Sequence, residues 1–150
     1  MLTIRWEIEG EAQLVRRFQG IRAEMADWSP AFAQTAAELK RVFSNDVFQT
    51  QGRAIGESWR PLSPRYAARK SRRYPGKGTL EASGKMRNSF QTMFKPDMAA
   101  VWNSVAYFQY HQSNKPRSKM PRRVMMKLAE QQKQLVVRIF HTYFVKKIKQ

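Results

Sequence analysis

Phe90-Gln91-Thr92-Met93-Phe94-Lys95-Pro96-Asp97-Met98-Ala99-Ala100-Val101-Trp102-Asn103-Ser104 is the stretch that determines the architecture. Phe90, Thr92 and Phe94 recur at every second position, which places them on one face of a strand. Lys95-Pro96-Asp97 turns the chain. Met98–Ser104 then supplies a partner strand around Val101 and Trp102. This β-hairpin sits among helical periodicities, so the expected class is α+β: a small antiparallel sheet packed with N-terminal helices and a long C-terminal helix.

Upstream, Thr3–Ile8 alternates as a short strand with Ile4, Trp6 and Ile8 on one face, and Gly10 ends it. From Glu11 the period becomes helical, with Leu14, Phe18, Ile21, Met25 and Trp28 on one stripe. Ser29-Pro30 breaks that helix, with Ser29 expected as the N-cap of the next and Pro30 at its first position. The second helix carries Phe32, Ala36, Leu39, Phe43 and Val47 and fades near Gly52. Ser63-Pro64 repeats the capping signal and starts a short helix to about Arg72. The loop 74–78 contains proline and two glycines, and 79–89 reads as one or two helical turns.

Downstream of the hairpin, Tyr107–Gln112 reads as an aromatic turn and Ser113–Pro121 as a polar loop. From about Val124 to Lys149 the chain has neither glycine nor proline. Leu128, Leu135, Ile139 and Tyr143 then stripe a long last helix, and Lys146, Lys147 and Lys149 suit its negative dipole end. Met25, Met86, Met93 and Met98 are expected in the core. Met120, Met125 and Met126 suit either core or an interface.

A chain of 150 residues fits one domain, taken here as 1–150. It has 28 Lys+Arg against 11 Asp+Glu, a net +17, and no cysteine, which excludes disulfides, thiolate metal sites and cysteine catalysis. Residues 1–57 hold seven basic and eight acidic residues; the remainder holds 21 basic and three acidic. That asymmetry points to a polyanionic or acidic partner, or to neighbouring subunits that neutralise the field. No apolar run approaches a membrane span, and the first residues lack a signal-peptide pattern, so a soluble protein made inside the cell is expected.

Catalytic patterns are sparse. His111 and His141 have no metal-ligand spacing; the first reads as a packed histidine among aromatics and the second as a helix-surface residue. Glu7, Glu9 and Glu11 read as a solvated edge. Pro75-Gly76-Lys77-Gly78-Thr79 lacks the first glycine of a phosphate loop. Arg69-Lys70-Ser71-Arg72-Arg73 is a fair phosphate-binding patch and equally a solvated or subunit-facing surface.

Four blocks carry a family resemblance. Trp59-Arg60-Pro61-Leu62-Ser63-Pro64-Arg65-Tyr66-Ala67-Ala68-Arg69-Lys70 is similar to a W-x-P-L-S-x-x-Y-x-x-x-K pattern. Leu80-Glu81-Ala82-Ser83-Gly84-Lys85-Met86-Arg87-Asn88-Ser89 follows L-x-x-S-G-x-L-x-x-S, with Met86 in place of an aliphatic residue. Ala106–Gln112 is similar to Y-A-x-x-H-Q, and Met120-Pro121-Arg122-Arg123 to I/M-P-x-R. In this order they resemble the phage virion morphogenesis family, the tail-completion and head–tail joining proteins of Mu-like and other contractile-tailed phages. Ser113-Asn114 departs from the usual glycine after His-Gln, and Val124-Met125-Met126 from an aromatic-Leu-Gly stretch.

The resemblance implies a non-enzymatic assembly protein without cofactors at the virion neck, the head-proximal tail end, assembled in the host cytoplasm. It implies a homo-oligomer, with a six-fold ring the natural form, whose partners are connector, tail-tube or terminator subunits, with genomic DNA passing close by. Its motif residues are expected to be structural: Trp59, Pro61, Leu62, Ser63, Tyr66, Lys70, Leu80, Ser83, Gly84, Ser89, Tyr107, His111, Gln112, Met120 and Pro121. The basic residues expected to face a partner or DNA are Arg65, Arg69, Arg72, Arg73, Lys77, Lys115, Arg117, Lys119, Arg122 and Arg123. The rival from composition alone is a sequence-independent DNA- or RNA-binding protein.

Overall fold

The computed structural model describes residues 16, 17, 19, 20, 22, 23, 25–115 and 119–149. The strand expected over Thr3–Ile8, the apolar positions Leu14, Phe18 and Ile21, and Arg117 lie outside the described residues. Positions 16, 17, 19, 20, 22 and 23 are helical, as the period from Glu11 requires.

The first long helix, α1, runs without interruption over residues 29–49. Its start differs from the expected cap. Ser29 is already helical, and its N–H donates at 2.8 Å to Asp27 Oδ1. Hydrogen bonds from Ser29 hold the Asp27 carboxyl below its ordinary pKa. Over Val42–Asp46 the helix widens to a π segment. A π turn adds a residue, so Val42 lies under Val47 and Phe43 under Phe48; all four are buried. The widened turn exposes the Ser44 carbonyl sideways, and Arg87 Nε donates to it at 2.9 Å.

Just past the end of α1 lies Gly52, whose φ of +84° a side chain resists and whose Cβ position would lie 2.6 Å from Trp59 Cδ1. That close approach lets Trp59 stand edge-on to Phe48, ring centroids 5.4 Å apart. Helix α2 follows at Pro64–Arg73, helix α3 at Lys85–Asn88, and the hairpin strands β1 and β2 at Phe90–Lys95 and Met98–Asn103. Of the turns expected over 79–89, only the short α3 forms. The register pairs Phe90 with Asn103, Thr92 with Val101 and Lys95 with Met98, across a two-residue Pro96-Asp97 loop.

The hairpin lays the Phe90 and Val101 face on α1, where both join the core. The opposite face carries Met93, Met98 and Trp102, which are exposed by 38–43%. The core expected around Met93 and Met98 is therefore not there; Met86, at 4%, does belong to it. Tyr107–Gln112 is more ordered than the expected turn, with helix α4 at Phe108–Gln112.

The last helix, α5, begins at Glu130 and not near Val124, and it ends at Ile148. Residues 121–129 are extended because distant groups take their backbone. Trp59 Nε1 donates to Val124 O at 2.7 Å, and Gln112 Oε1 accepts from the N–H groups of Met125 and Met126 at 3.0 and 3.2 Å. Those bonds draw Val124 and Met125 into the core and leave Leu128 half exposed. α5 returns along the start of α1: Phe140 lies 4.9 Å from Phe32 and 5.5 Å from Trp28, and Tyr143 Oη donates to Asp27 O at 2.8 Å. No helix among the described residues is long and apolar enough to cross a membrane.

Candidate functional site

The four motif blocks are spread from residue 59 to residue 123, yet residues of all four line one groove of about 880 Å³. One wall is the connection from Arg60 to Ser63 with Tyr66 and Lys70 of α2. The second is Leu80, Ala82, Ser83 and Met86. Tyr107 and His111 of α4 close one side, and Lys119, Met120, Pro121 and Arg123 the other. Leu80 holds a φ of +63°, a left-handed conformation that costs a non-glycine residue about 1–3 kcal/mol. It turns the side chain toward the core.

Long-range polar contacts fix this geometry. Arg123 Nε and Nη2 donate to Arg60 O at 3.1 and 2.9 Å, tying the last wall to the first. Arg123 N donates to His111 O at 3.1 Å, and Gln112 Nε2 to Met126 O at 2.5 Å. Lys70 Nζ donates to Gly78 O, joining α2 to the loop after it. Arg87 pairs with Glu81 at 2.7 Å and donates to Asn45 Oδ1 at 2.5 Å, bracing the second wall against the π segment of α1.

Not every motif residue reaches the groove. Trp59 packs in the core beneath it, and Gln112 latches 125–126 from behind. Gly84, at φ +72°, starts α3, and Ser89 Oγ donates to Lys85 O at 2.6 Å. Ser63 precedes α2 in extended conformation but makes no side-chain cap bond.

Electrostatically the groove is one-sided. Arg60, Lys70, Lys119 and Arg123 line it, and no Asp or Glu among the described residues does. Lys70 and Arg123 are 7% and 6% exposed, and neither joins an ion pair among the described residues. Burial pushes both pKa values down; Glu81 partly offsets this at Lys70, while Arg60 adds to it at Arg123. Arg123 thus departs from the expected outward orientation: its guanidinium serves backbone carbonyls.

The remaining described cations do face outward. Arg65, Arg69, Arg72 and Arg73 stud the free face of α2, followed by Lys77, and Lys115, Lys119 and Arg122 are exposed nearby. Arg69 lies over the Tyr66 ring at 5.2 Å and Arg73 over Tyr74 at 5.5 Å, which orients the guanidinium groups. Arg60 and Arg87 were not expected at the site. Arg87 sits at a variable position of its motif, so only its contacts reveal it as a strut.

A second, apolar trough of about 400 Å³ lies between α1, β2 and α5, lined by Phe32, Leu39, Val101, Met126, Val136 and Phe140. Among the described residues no group of three His, Asp or Glu is placed to hold a metal. The groove offers cations, two phenols, an imidazole and an aliphatic floor.

The family model for the phage virion morphogenesis family matches residues 10–144. The chain belongs to the phage virion morphogenesis family. No curated protein and no solved structure matches it. The family match spans α1 through most of α5, so groove, hairpin and last helix all lie within the family's domain.

Proposed function

We propose that this member of the phage virion morphogenesis family is a non-enzymatic neck subunit that completes the tail and enables head–tail joining, acting as a homo-oligomeric ring, six-fold by preference. The observation that supports this best is the pairing of exposed apolar side chains with a cation-lined groove. The hairpin exposes Met93, Met98 and Trp102; Leu128, ahead of α5, and Val137 and Phe144, on it, are exposed as well. Large exposed apolar side chains of this kind suit contact with further protein. The groove concentrates cations with no acid among its described lining residues, which suits an acidic neighbour or passing DNA. Connector, tail-tube and terminator subunits are the partners this reading assigns.

The test is deletion of the gene from its parent phage, followed by electron microscopy of the lysate. Separate full heads and unfinished tails are expected, restored to infectious particles by the gene in trans. Normal particles without it would sink the assembly role. A monomer that binds duplex stoichiometrically at about 0.15 M salt, where screening is already substantial, would favour the nucleic-acid reading.

A further inference from the structure

The groove's demands define its occupant. Its floor is aliphatic, with Leu62, Leu80, Met86 and Met120, which suits apolar side chains, while Tyr66, Tyr107 and His111 also line the groove. Duplex phosphates would meet the outward arginines of α2 before reaching that floor. The two buried cations use backbone carbonyls alone. Lys70 spends one of its three N–H donors on Gly78, and Arg123 leaves Nη1 without a described bond. A carboxylate brought to this wall would add counter-charge beyond the partial offset that Glu81 gives Lys70. The fitting ligand is an extended segment with apolar side chains on one face and carboxylates on the other.

One such segment is in this sequence. Ile4, Trp6 and Ile8 alternate with Arg5, Glu7 and Glu9, and Glu11 follows, so three of the chain's 11 acidic residues fall within five positions. Beyond residue 57 the chain holds only Glu81, Asp97 and Glu130. A segment of one copy seated in a groove of the next is a heterologous contact, the type that closes into rings.

We propose that the groove of one subunit receives residues 4–11 of its neighbour, with Ile4, Trp6 and Ile8 toward the floor and Glu7, Glu9 and Glu11 toward the cations. This rests on the homo-oligomeric reading above and gives it a specific joint. The joint is directional, and it places the segment's carboxylates beside Lys70, Lys119 and Arg123.

The absence of cysteine makes the test direct. Full-length Glu9→Cys and Lys119→Cys chains are mixed, oxidised and run on a non-reducing gel. A mixed disulfide dimer is expected at about ten-fold the yield of Glu9→Cys with Gln34→Cys, since the bond forms only where the two Cα atoms come within about 7 Å. Equal yields overturn the assignment. A cyclised monomer from the double variant Glu9→Cys/Lys119→Cys, without mixed dimer, places the segment in its own groove and also overturns it. A charge-swap series guards against poor disulfide geometry. Glu9→Lys and Lys119→Glu should each reduce assembly mass by light scattering, and mixing the two should restore it. A wild-type oligomer unaffected by either substitution rejects the joint and leaves the ring standing. A wild-type monomer at every concentration rejects both.

Discussion

The groove and the hairpin face are built by opposite means. Around the groove, side chains donate to backbone carbonyls far along the chain: Arg123 to Arg60, Trp59 to Val124, Gln112 to Met126. Across the molecule, α1, the hairpin and α5 meet through ring and aliphatic contacts, and part of that apolar surface stays uncovered. The first region has many directional bonds and unbalanced charge; the second is mostly apolar area, with the Tyr143 hydrogen bond to Asp27 O added to it. Polar latches hold a shape, so the groove suits a specific ligand, whereas the apolar face suits broad contact with another subunit.

The sharpest way to break the contrast is to remove what both regions share. Phe48 is fully buried between the π segment and Trp59, and Phe48→Ala is expected to cost about 3–5 kcal/mol by urea denaturation. Gln112→Ala acts on the groove alone. It strands the Met125 and Met126 N–H groups and the Met126 carbonyl, and about 1–3 kcal/mol of stability should be lost. Hydrogen exchange should quicken at 125–126 while the hairpin amides keep their protection.

On the other face, Met93→Ser with Trp102→Ser should leave stability within about 1 kcal/mol, because both side chains are exposed. The assembly mass by light scattering should nevertheless fall; unchanged mass would remove this face from the interface. The smallest effect is a slope. Burial depresses the pKa of Lys70 in the folded protein below its ordinary 10.5. The unfolded chain therefore binds more protons as pH rises toward 10.5, and stability should rise across that interval. Lys70→Met lacks this rise, so the wild type should gain relative to the variant as the solution becomes more alkaline.

Periodicity was enough for α1 and the hairpin, because each repeats an apolar residue at a spacing its own backbone enforces, and the Ser63-Pro64 start signal was enough for α2. It failed at Val124, where no local residue signals that Trp59 and Gln112 claim the backbone. Met93 and Met98 show the same limit: alternation defines two faces of a strand but not which one finds a helix. Each motif block is readable in sequence, but their convergence depends on contacts between blocks, such as Arg123 with Arg60 and with His111, that no single block announces. Arg123 looked like one more surface cation because composition counts charges without their partners.

The π segment at Val42–Asp46 keeps the apolar stripe of α1 in phase. Upstream of it, the helix aims Phe32, Leu39 and Phe43 at the hairpin and α5. Downstream, Val47 and Phe48 aim at Ile55 and Trp59 under the groove. The extra residue is absorbed in the wide turn, so one rod carries a continuous stripe from the hairpin to the groove. Deleting Ser44 would close that turn to an α turn with Val42 still under Val47 and Phe43 under Phe48, and would remove the carbonyl that Arg87 uses. Phe48 would keep its place against Trp59, and the loss would fall on the Arg87 strut that braces the groove wall.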